Sequence, residues 1–226
     1  ILCCLVLSIS AQIARDEIFE DIYTLAGYRA GEIQLESLKL LPGTEMRHRA
    51  DELGIRYSPL PPYEVLQTVE ISVGELQTAR RLSRLLDAFY NTPAWQELTR
   101  ELILNDRRFL YRFLAYLTEA NLIDQPMSLE RRGLVLYEYC KQYYPDYRTQ
   151  ASIAWIEAGM SLKKLPAEHV KTKRQIPPEH WEVIYGNYKP ELRLCFLPVS
   201  TDTEHGYWFG FESEIQKIAP VFKART

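Results

Sequence analysis

The sequence has few of the residues that build metal sites or disulfide frameworks. Its four cysteines are an adjacent pair, Cys3 and Cys4, and two distant single residues, Cys140 and Cys195. This arrangement matches neither a disulfide framework nor the spacing of metal ligands, and it favours a reducing, cytoplasmic environment. The histidines show no HxxxH or HxxE spacing, so no zinc site and no other metal site is predicted.

The chain also lacks a strong excess of either charge. Lys and Arg number 27 against 30 for Asp and Glu, which gives a formal net charge of -3. This balance provides no general attraction to nucleic acid or to an anionic membrane. Long apolar runs are missing as well, since Ile1–Ile9 is far shorter than the roughly 20 residues of a membrane span. We therefore predict no nucleic-acid partner and no membrane insertion.

The apolar segment Ile1–Ile9 has two interpretations. Together with Ser10, Ala11 and Gln12 it is similar to the hydrophobic part and cleavage site of a secretory signal, although it has no basic leader. Continuous apolar runs are also typical of parallel strands that are covered on both faces. We favour the buried strand and keep a signal remnant as the alternative. Because the first residue is Ile rather than Met, we expect a fragment or a processed product.

Residues 1–56 alternate between strand and helix patterns. The pattern gives a strand at 1–9, an amphipathic helix with Ile18, Ile22 and Leu25 on one side, a strand at 32–41 and a helix at 44–53. Such alternation predicts parallel strands joined by right-handed crossovers. Two βα units can neither close a barrel nor cover their own sheet edges. We therefore expect the remaining strands to come from upstream sequence.

Helical periodicity begins after a proline-rich connector at residues 57–71, where each proline biases its predecessor towards an extended conformation. Residues 72–226 are predicted to form a helical domain. Its helices start at Ser72 and Pro93, cover 109–117, 129–144 and 147–159, and include a short one near 179–185. A C-terminal β-hairpin is predicted at about 192–211. The predicted fold class is α+β, mainly helical, with two βα units of a partial (β/α) barrel followed by a helical bundle domain.

The segment IQLESLKLLPGTEMRHRADELGIRYSPLPPYEVLQT, residues 33–68, resembles the tail of cobalamin-binding radical-SAM proteins. In that family a cobalamin domain precedes a partial (β/α) barrel with a cluster-binding loop, and a mostly helical domain of unknown function follows. The resemblance rests on LKLLPGT, on the helix ending ELGI and on the exit YSPLPPYEVLQT. Residues 72–226 match the last domain only in position, helicity and the closing aromatic hairpin. The resemblance implies that residues 1–56 are the last units of the barrel.

Two departures from the family pattern bear on activity. The motif CxxxCxxC is absent, and the adjacent Cys3 and Cys4 cannot replace the three thiolates that hold a [4Fe–4S] cluster. The cobalamin domain is missing too. We therefore expect no cofactor and no catalytic residue in this chain, and whether the chain acts within an enzyme stays open. For the full-length parent, the resemblance implies S-adenosylmethionine, a [4Fe–4S] cluster, cobalamin and an unidentified substrate, with the upstream barrel and cobalamin domain as partners of this chain.

Three residues of the second predicted strand are candidate cofactor contacts. Because side chains alternate along a strand, Gln34, Glu36 and Leu38 should point into the barrel lumen, while Ile33 and Leu35 should face the helices. The resemblance implies that this late strand runs beside the S-adenosylmethionine pocket. Gln34 and Glu36 are then predicted to bind the cofactor or the substrate. The alternative is an internal polar network that holds the barrel open.

A function of a different class is a stand-alone helical interaction module without catalysis. Its contact surface would be the basic stretch 163–174, which contains Lys163, Lys164, Lys171, Lys173 and Arg174. Most runs of this kind are solvated surfaces. Such a module should be soluble and monodisperse, whereas a barrel end should expose sheet edges and tend to self-associate.

Overall fold

The computed structural model describes residues 2–6, 16–165, 167, 170–171, 193–199, 205–211, 220 and 222–225. Within these residues the fold is α+β and mainly helical, as the sequence predicts. The chain divides into two compact units, Ile1–Met127 and Ser128–Thr226.

The described helices lie in both units, and most of them begin close to the predicted positions. They are α1 (Asp16–Gly27), α2 (Glu45–His48), α3 (Val73–Leu85), α4 (Pro93–Asn105), α5 (Phe109–Glu119), α6 (Leu129–Tyr143) and α7 (Arg148–Glu157). A π-helical turn, Leu86–Tyr90, extends α3, and short 3-10 turns cover Pro145–Tyr147 and Leu162–Lys164.

The described strands form three separate sheets. They are β1 (Leu2–Val6), β2 (Glu32–Glu36), β3 (Arg56–Tyr57), β4 (Val65–Gln67), β5 (Val170–Lys171), β6 (Arg193–Pro198), β7 (Gly206–Phe211) and β8 (Phe222–Arg225). The sheets are the pair β1–β2, the pair β3–β4 and the four-stranded sheet β5–β6–β7–β8. No closed barrel is found in this described part of the chain.

The first sheet is a parallel pair, as the β-α-β pattern predicts. β1 and β2 pair in register from Leu2 opposite Glu32 to Val6 opposite Glu36. α1 connects the two strands and packs on α4, while α3 and the π-helical turn contact β2. This pairing supports the strand interpretation of the apolar segment over 2–6, and the predicted remainder of that strand lies outside the described residues.

The second predicted strand and helix are shorter than the sequence suggests. β2 ends at Glu36 rather than at residue 41, and the chain then forms an isolated antiparallel bridge between Lys39 and Glu64. α2 is helical only over Glu45–His48, and turns lead from it to Gly54. Gly54 adopts a φ of 62°, a left-handed conformation that glycine commonly provides at the end of a helix.

Residues of the proline-rich segment contribute to the core of the first unit. Tyr57 and Val65–Gln67 take part in the antiparallel pair β3–β4, and the Tyr63 carbonyl accepts a hydrogen bond of 2.9 Å from the Leu40 N–H. The buried residues Leu40, Ala50, Ile55, Val65, Ile71, Leu76 and Ala79 form one cluster. This cluster joins the segment to α3, because it contains apolar side chains from before and after the predicted start of the helical domain at residue 72. The division into 1–56, 57–71 and 72–226 stays a prediction.

Local capping explains where α3 begins. The Ser72 hydroxyl accepts a hydrogen bond from the Glu75 N–H, and the Glu75 carboxylate accepts one from the Ser72 N–H, which is a capping box. At the other end, the Asn91 N–H donates to the Leu86 carbonyl, so the helix closes on a π-helical turn. Pro93 then occupies the first turn of α4, as predicted.

The second unit contains α6, α7 and the four-stranded antiparallel sheet. The predicted hairpin is confirmed, since β6 pairs with β7 from Arg193 opposite Phe211 to Pro198 opposite Gly206. β5 and β8 extend it on either side and were not predicted. Phe196, Trp208 and Ala224 form a buried cluster on the sheet. The predicted short helix at 179–185 lies outside the described residues.

An ion-pair cluster ties the loop after α5 to α3. The Asp124 carboxylate accepts hydrogen bonds from the guanidinium groups of Arg81, at 2.8 Å, and Arg84. The Arg81 hydrogen bond lowers the pKa of Asp124 below its ordinary value of 3.8. A lowered carboxyl pKa stabilises the folded state above the pKa of the unfolded state, and this contribution is lost as the pH falls through the folded pKa.

We expect Asp124→Asn to lower the free energy of unfolding at neutral pH by at most about 1 kcal/mol, because the pair is partly exposed and screened by water. Urea unfolding at neutral pH and in steps into acid should give two stability curves that converge at low pH. Asp51→Asn, at an exposed carboxylate with no ion pair in the described part of the chain, is the control and should follow the wild type. Curves for the Asp124 variant and wild type that stay parallel into acid would contradict the expectation.

Candidate functional site

The candidate site is the face of β2 that carries Glu32, Gln34 and Glu36. Ile33 and Leu35, which alternate with them, are buried, with 0% and 5% of their surface exposed. Gln34 is half-buried and Glu36 is exposed. The strand therefore has one buried apolar face and one accessible polar face, as the side-chain alternation predicts.

A short hydrogen bond links two side chains of this face. The Gln34 Nε2 donates to the Glu32 Oε1 at 2.6 Å. Among the described residues nothing donates to the Gln34 Oε1 or to the Glu36 carboxylate, so both can accept a hydrogen bond from a hydroxyl or ammonium group of a ligand. The face can therefore bind and orient a polar ligand, and the amide and carboxylate groups supply no activated nucleophile.

Leu38, the third predicted contact, does not continue this face. β2 ends at Glu36, so the strand alternation no longer determines the direction of the Leu38 side chain. Leu38 is half-buried and packs against the apolar cluster that contains Leu40 and Val65. Its carbonyl accepts a hydrogen bond of 2.9 Å from the Val65 N–H. This difference has a physical cause, since the chain leaves the strand to form the contact with β4.

An arginine between two aromatic rings fixes the segment that follows the site. The Arg47 guanidinium lies 4.9 Å from the Tyr57 ring centroid and 4.8 Å from that of Tyr63. Arg47 Nη1 also donates to the Leu40 carbonyl at 3.0 Å. These cation–π contacts hold the turn between β3 and β4 against the end of the strand segment. The sequence contains no signal that would have indicated this arrangement.

Side chains of α3, the π-helical turn, the residue after that turn and α4 contact the backbone of β2 and of the turn before it. The sequence did not indicate them as site residues. The contacting residues are Ser83, Tyr90, Asn91 and Gln96. Which backbone groups they reach depends on tertiary packing, and no local pattern encodes it.

Metal and thiol chemistry has little support in the described residues. No three His, Cys, Asp or Glu side chains there are grouped so that they could hold a metal ion. Cys140 and Cys195 are free and buried, and burial raises the pKa of Cys140 to about 12. A thiol with this pKa is protonated at neutral pH and is a poor nucleophile or metal ligand.

The basic stretch and the tyrosines of α6 contact neighbouring side chains where the structure describes them. In the basic stretch, Lys164 forms an ion pair of 2.7 Å with Glu130, and the side chains of 171–174 lie outside the described residues. Tyr139 is buried, with its ring centroid 4.8 Å from that of Tyr143. No helix in the described part of the chain is long and apolar enough to cross a bilayer.

Comparison with protein families gives one match. The model of the family described as "Protein of unknown function (DUF4080)" matches residues 51–163, which is half of the chain. No curated protein and no solved structure is similar enough to the chain to count as a match. The matched region begins after β2, so it includes Ser83, Asn91 and Gln96 but not Gln34 or Glu36.

Proposed function

The chain belongs to the DUF4080 family of proteins of unknown function, and on this premise we propose that it is the C-terminal part of a cobalamin-dependent radical S-adenosylmethionine enzyme. Residues 1–56 are the last βα units of the parent's partial barrel, and the helical part that follows is its accessory domain. The parent cleaves S-adenosylmethionine reductively or methylates an unreactive carbon. This chain by itself is not catalytic, and its partners are the upstream barrel and cobalamin domain in the cytoplasm.

The observation that carries the proposal is the parallel β1–α1–β2 unit followed by LKLLPGT. Parallel strands joined by a helical crossover occur almost only in larger sheets with helices on their faces, and a two-stranded sheet is marginally stable in water. The pair β1–β2 therefore calls for further strands. The accessible polar face of β2 supports the proposal as well, because a lumen-facing strand presents such groups to a ligand.

The cysteines of the chain do not fit a [4Fe–4S] cluster. The described Cys140 and Cys195 are buried, and Cys3 and Cys4 are adjacent in sequence, so three thiolates at loop spacing are missing. The cluster of the parent must therefore be held by upstream residues. What this chain contributes is the polar face, where we propose that Gln34 and Glu36 bind S-adenosylmethionine or the substrate and that Leu38 borders them.

We expect anaerobic iron–sulfur reconstitution of this chain to give no cluster absorbance. The same treatment of a longer protein that includes the upstream coding sequence should give a [4Fe–4S] spectrum, because that sequence should encode CxxxCxxC. The double variant C3S/C4S of the longer protein is the control and should keep the cluster. A stable cluster in this chain alone, or an upstream sequence without the motif, contradicts the proposal.

In the longer protein, the double variant Q34A/E36A should bind S-adenosylmethionine about tenfold more weakly, because it loses hydrogen bonds that include a charged acceptor. Isothermal titration calorimetry measures this directly. Glu70→Ala, at an exposed carboxylate of the first unit, is the matched control and should leave the affinity unchanged. Unchanged affinity in Q34A/E36A contradicts a contact with S-adenosylmethionine and leaves the substrate or an internal network as the role of the polar face.

A second candidate function is a stand-alone helical interaction module, in which exposed apolar side chains would contact the partner. Leu60 is 70% exposed and Val69 is 80% exposed. Exposed apolar residues of this size can mark a partner surface when they cluster.

Light scattering at increasing protein concentration separates the two functions. A barrel end should self-associate through unpaired strand edges, so its apparent mass should rise with concentration. An independent module should keep one mass over the same range. Hydrogen exchange over residues 2–41 in the same samples reports whether β1 and β2 are the associating segments.

A further inference from the structure

The outer edge of β2 is paired with a side chain instead of a strand. The Ile33 N–H donates to Asn91 Oδ1 at 2.9 Å, and Asn91 Nδ2 donates to the Ile33 carbonyl at 2.9 Å. A neighbouring strand would offer the same donor and acceptor to an edge residue. The carboxamide of Asn91 therefore takes the place of a peptide group at the position where another strand would begin to pair.

Three more side chains bind backbone carbonyls on either side of Ile33. Ser83 Oγ donates to the Leu35 carbonyl at 3.1 Å, and Gln96 Nε2 donates to the Gly31 carbonyl at 2.7 Å. Tyr90 Oη donates to the Ala30 carbonyl at 2.7 Å, and Tyr90 is fully buried. As the residue number rises from Ser83 to Gln96, the residue contacted falls from Leu35 to Gly31. The segment 83–96 therefore lies antiparallel along the edge of β2.

Asp87 fixes the orientation of the Asn91 amide. Asn91 Nδ2 also donates to the Asp87 carboxylate at 2.9 Å. A carboxylate at this distance requires the nitrogen of the amide and not its oxygen, because an oxygen would be repelled. With the nitrogen fixed, the oxygen is directed to the Ile33 N–H. The π-helical turn contains Asp87 and directly precedes Asn91, so it places the two members of the pair close together.

We propose that Asn91, oriented by Asp87 and assisted by Ser83 and Gln96, caps the edge of β2 so that no further strand joins it. The parallel sheet can then grow only from β1. The role of α3 and α4, which lie in the region matched by the family model, is then to end the sheet beside the polar face. The inference goes beyond the proposed function, because the contacts are the same whether or not the chain is the end of a radical-SAM barrel.

Hydrogen exchange of the Ile33 amide tests the cap on the chain itself. Asn91→Ala removes the acceptor of the Ile33 N–H, so this amide should exchange about tenfold faster, as expected for a lost hydrogen bond at an edge. Asn105→Ala is the matched control, since Asn105 is exposed at the end of α4 and should leave the Ile33 rate unchanged. The opened edge should also make Asn91→Ala self-associate more strongly than Asn105→Ala.

Equal Ile33 exchange in Asn91→Ala, Asn105→Ala and the wild type overturns the proposal. Acceleration spread evenly over all slow amides overturns it as well, because it reports global destabilisation and not an opened edge. If Asn91→Ala does not fold, Asp87→Ala replaces it and should accelerate Ile33 exchange by a smaller factor. None of these results depends on a cluster or on S-adenosylmethionine, so the cap and the proposed function can fail separately.

Discussion

A parallel strand with a neighbour on one side leaves half of its backbone groups to be satisfied by something other than a strand, and this constraint governs the first unit. Buried N–H and C=O groups without partners are costly. The chain meets the requirement with side chains from the helical segment that follows, above all with the Asn91 amide on both backbone groups of Ile33. These contacts require α3 and α4 to lie along β2. The same hydrogen bonds therefore pair the edge of the strand and position the two helices.

Helix α3 is also held by the buried apolar cluster that contains Leu40 and Val65. Leu40 and Val65 precede α3 in sequence, whereas Leu76 and Ala79 lie on it, and all four are buried together. The ion pair of 2.7 Å between Glu64 and Arg80 also links the residue that directly precedes β4 to this helix.

Period and stop signals predicted much of the fold. The parallel pair, the helix starts at Ser72 and Pro93 and the hairpin at 192–211 follow from apolar spacing, capping residues and turn composition, which are local. The β3–β4 pair, β5 and β8 could not be predicted in this way, because strands of two to four residues show almost no hydrophobic periodicity. At the site, alternation placed Gln34 and Glu36 on the accessible face, but Leu38 left it because the contact with Val65 ended the strand first.

The region matched by the family model contains the residue that caps the edge of β2 but not the candidate site residues. Gln34 and Glu36 precede the matched region of 51–163, whereas Asn91 lies within it. This region supplies no group to the polar face, but it closes the adjacent edge of β2. It therefore affects the site indirectly, because it holds β2 in its strand conformation and leaves the accessible side chains free.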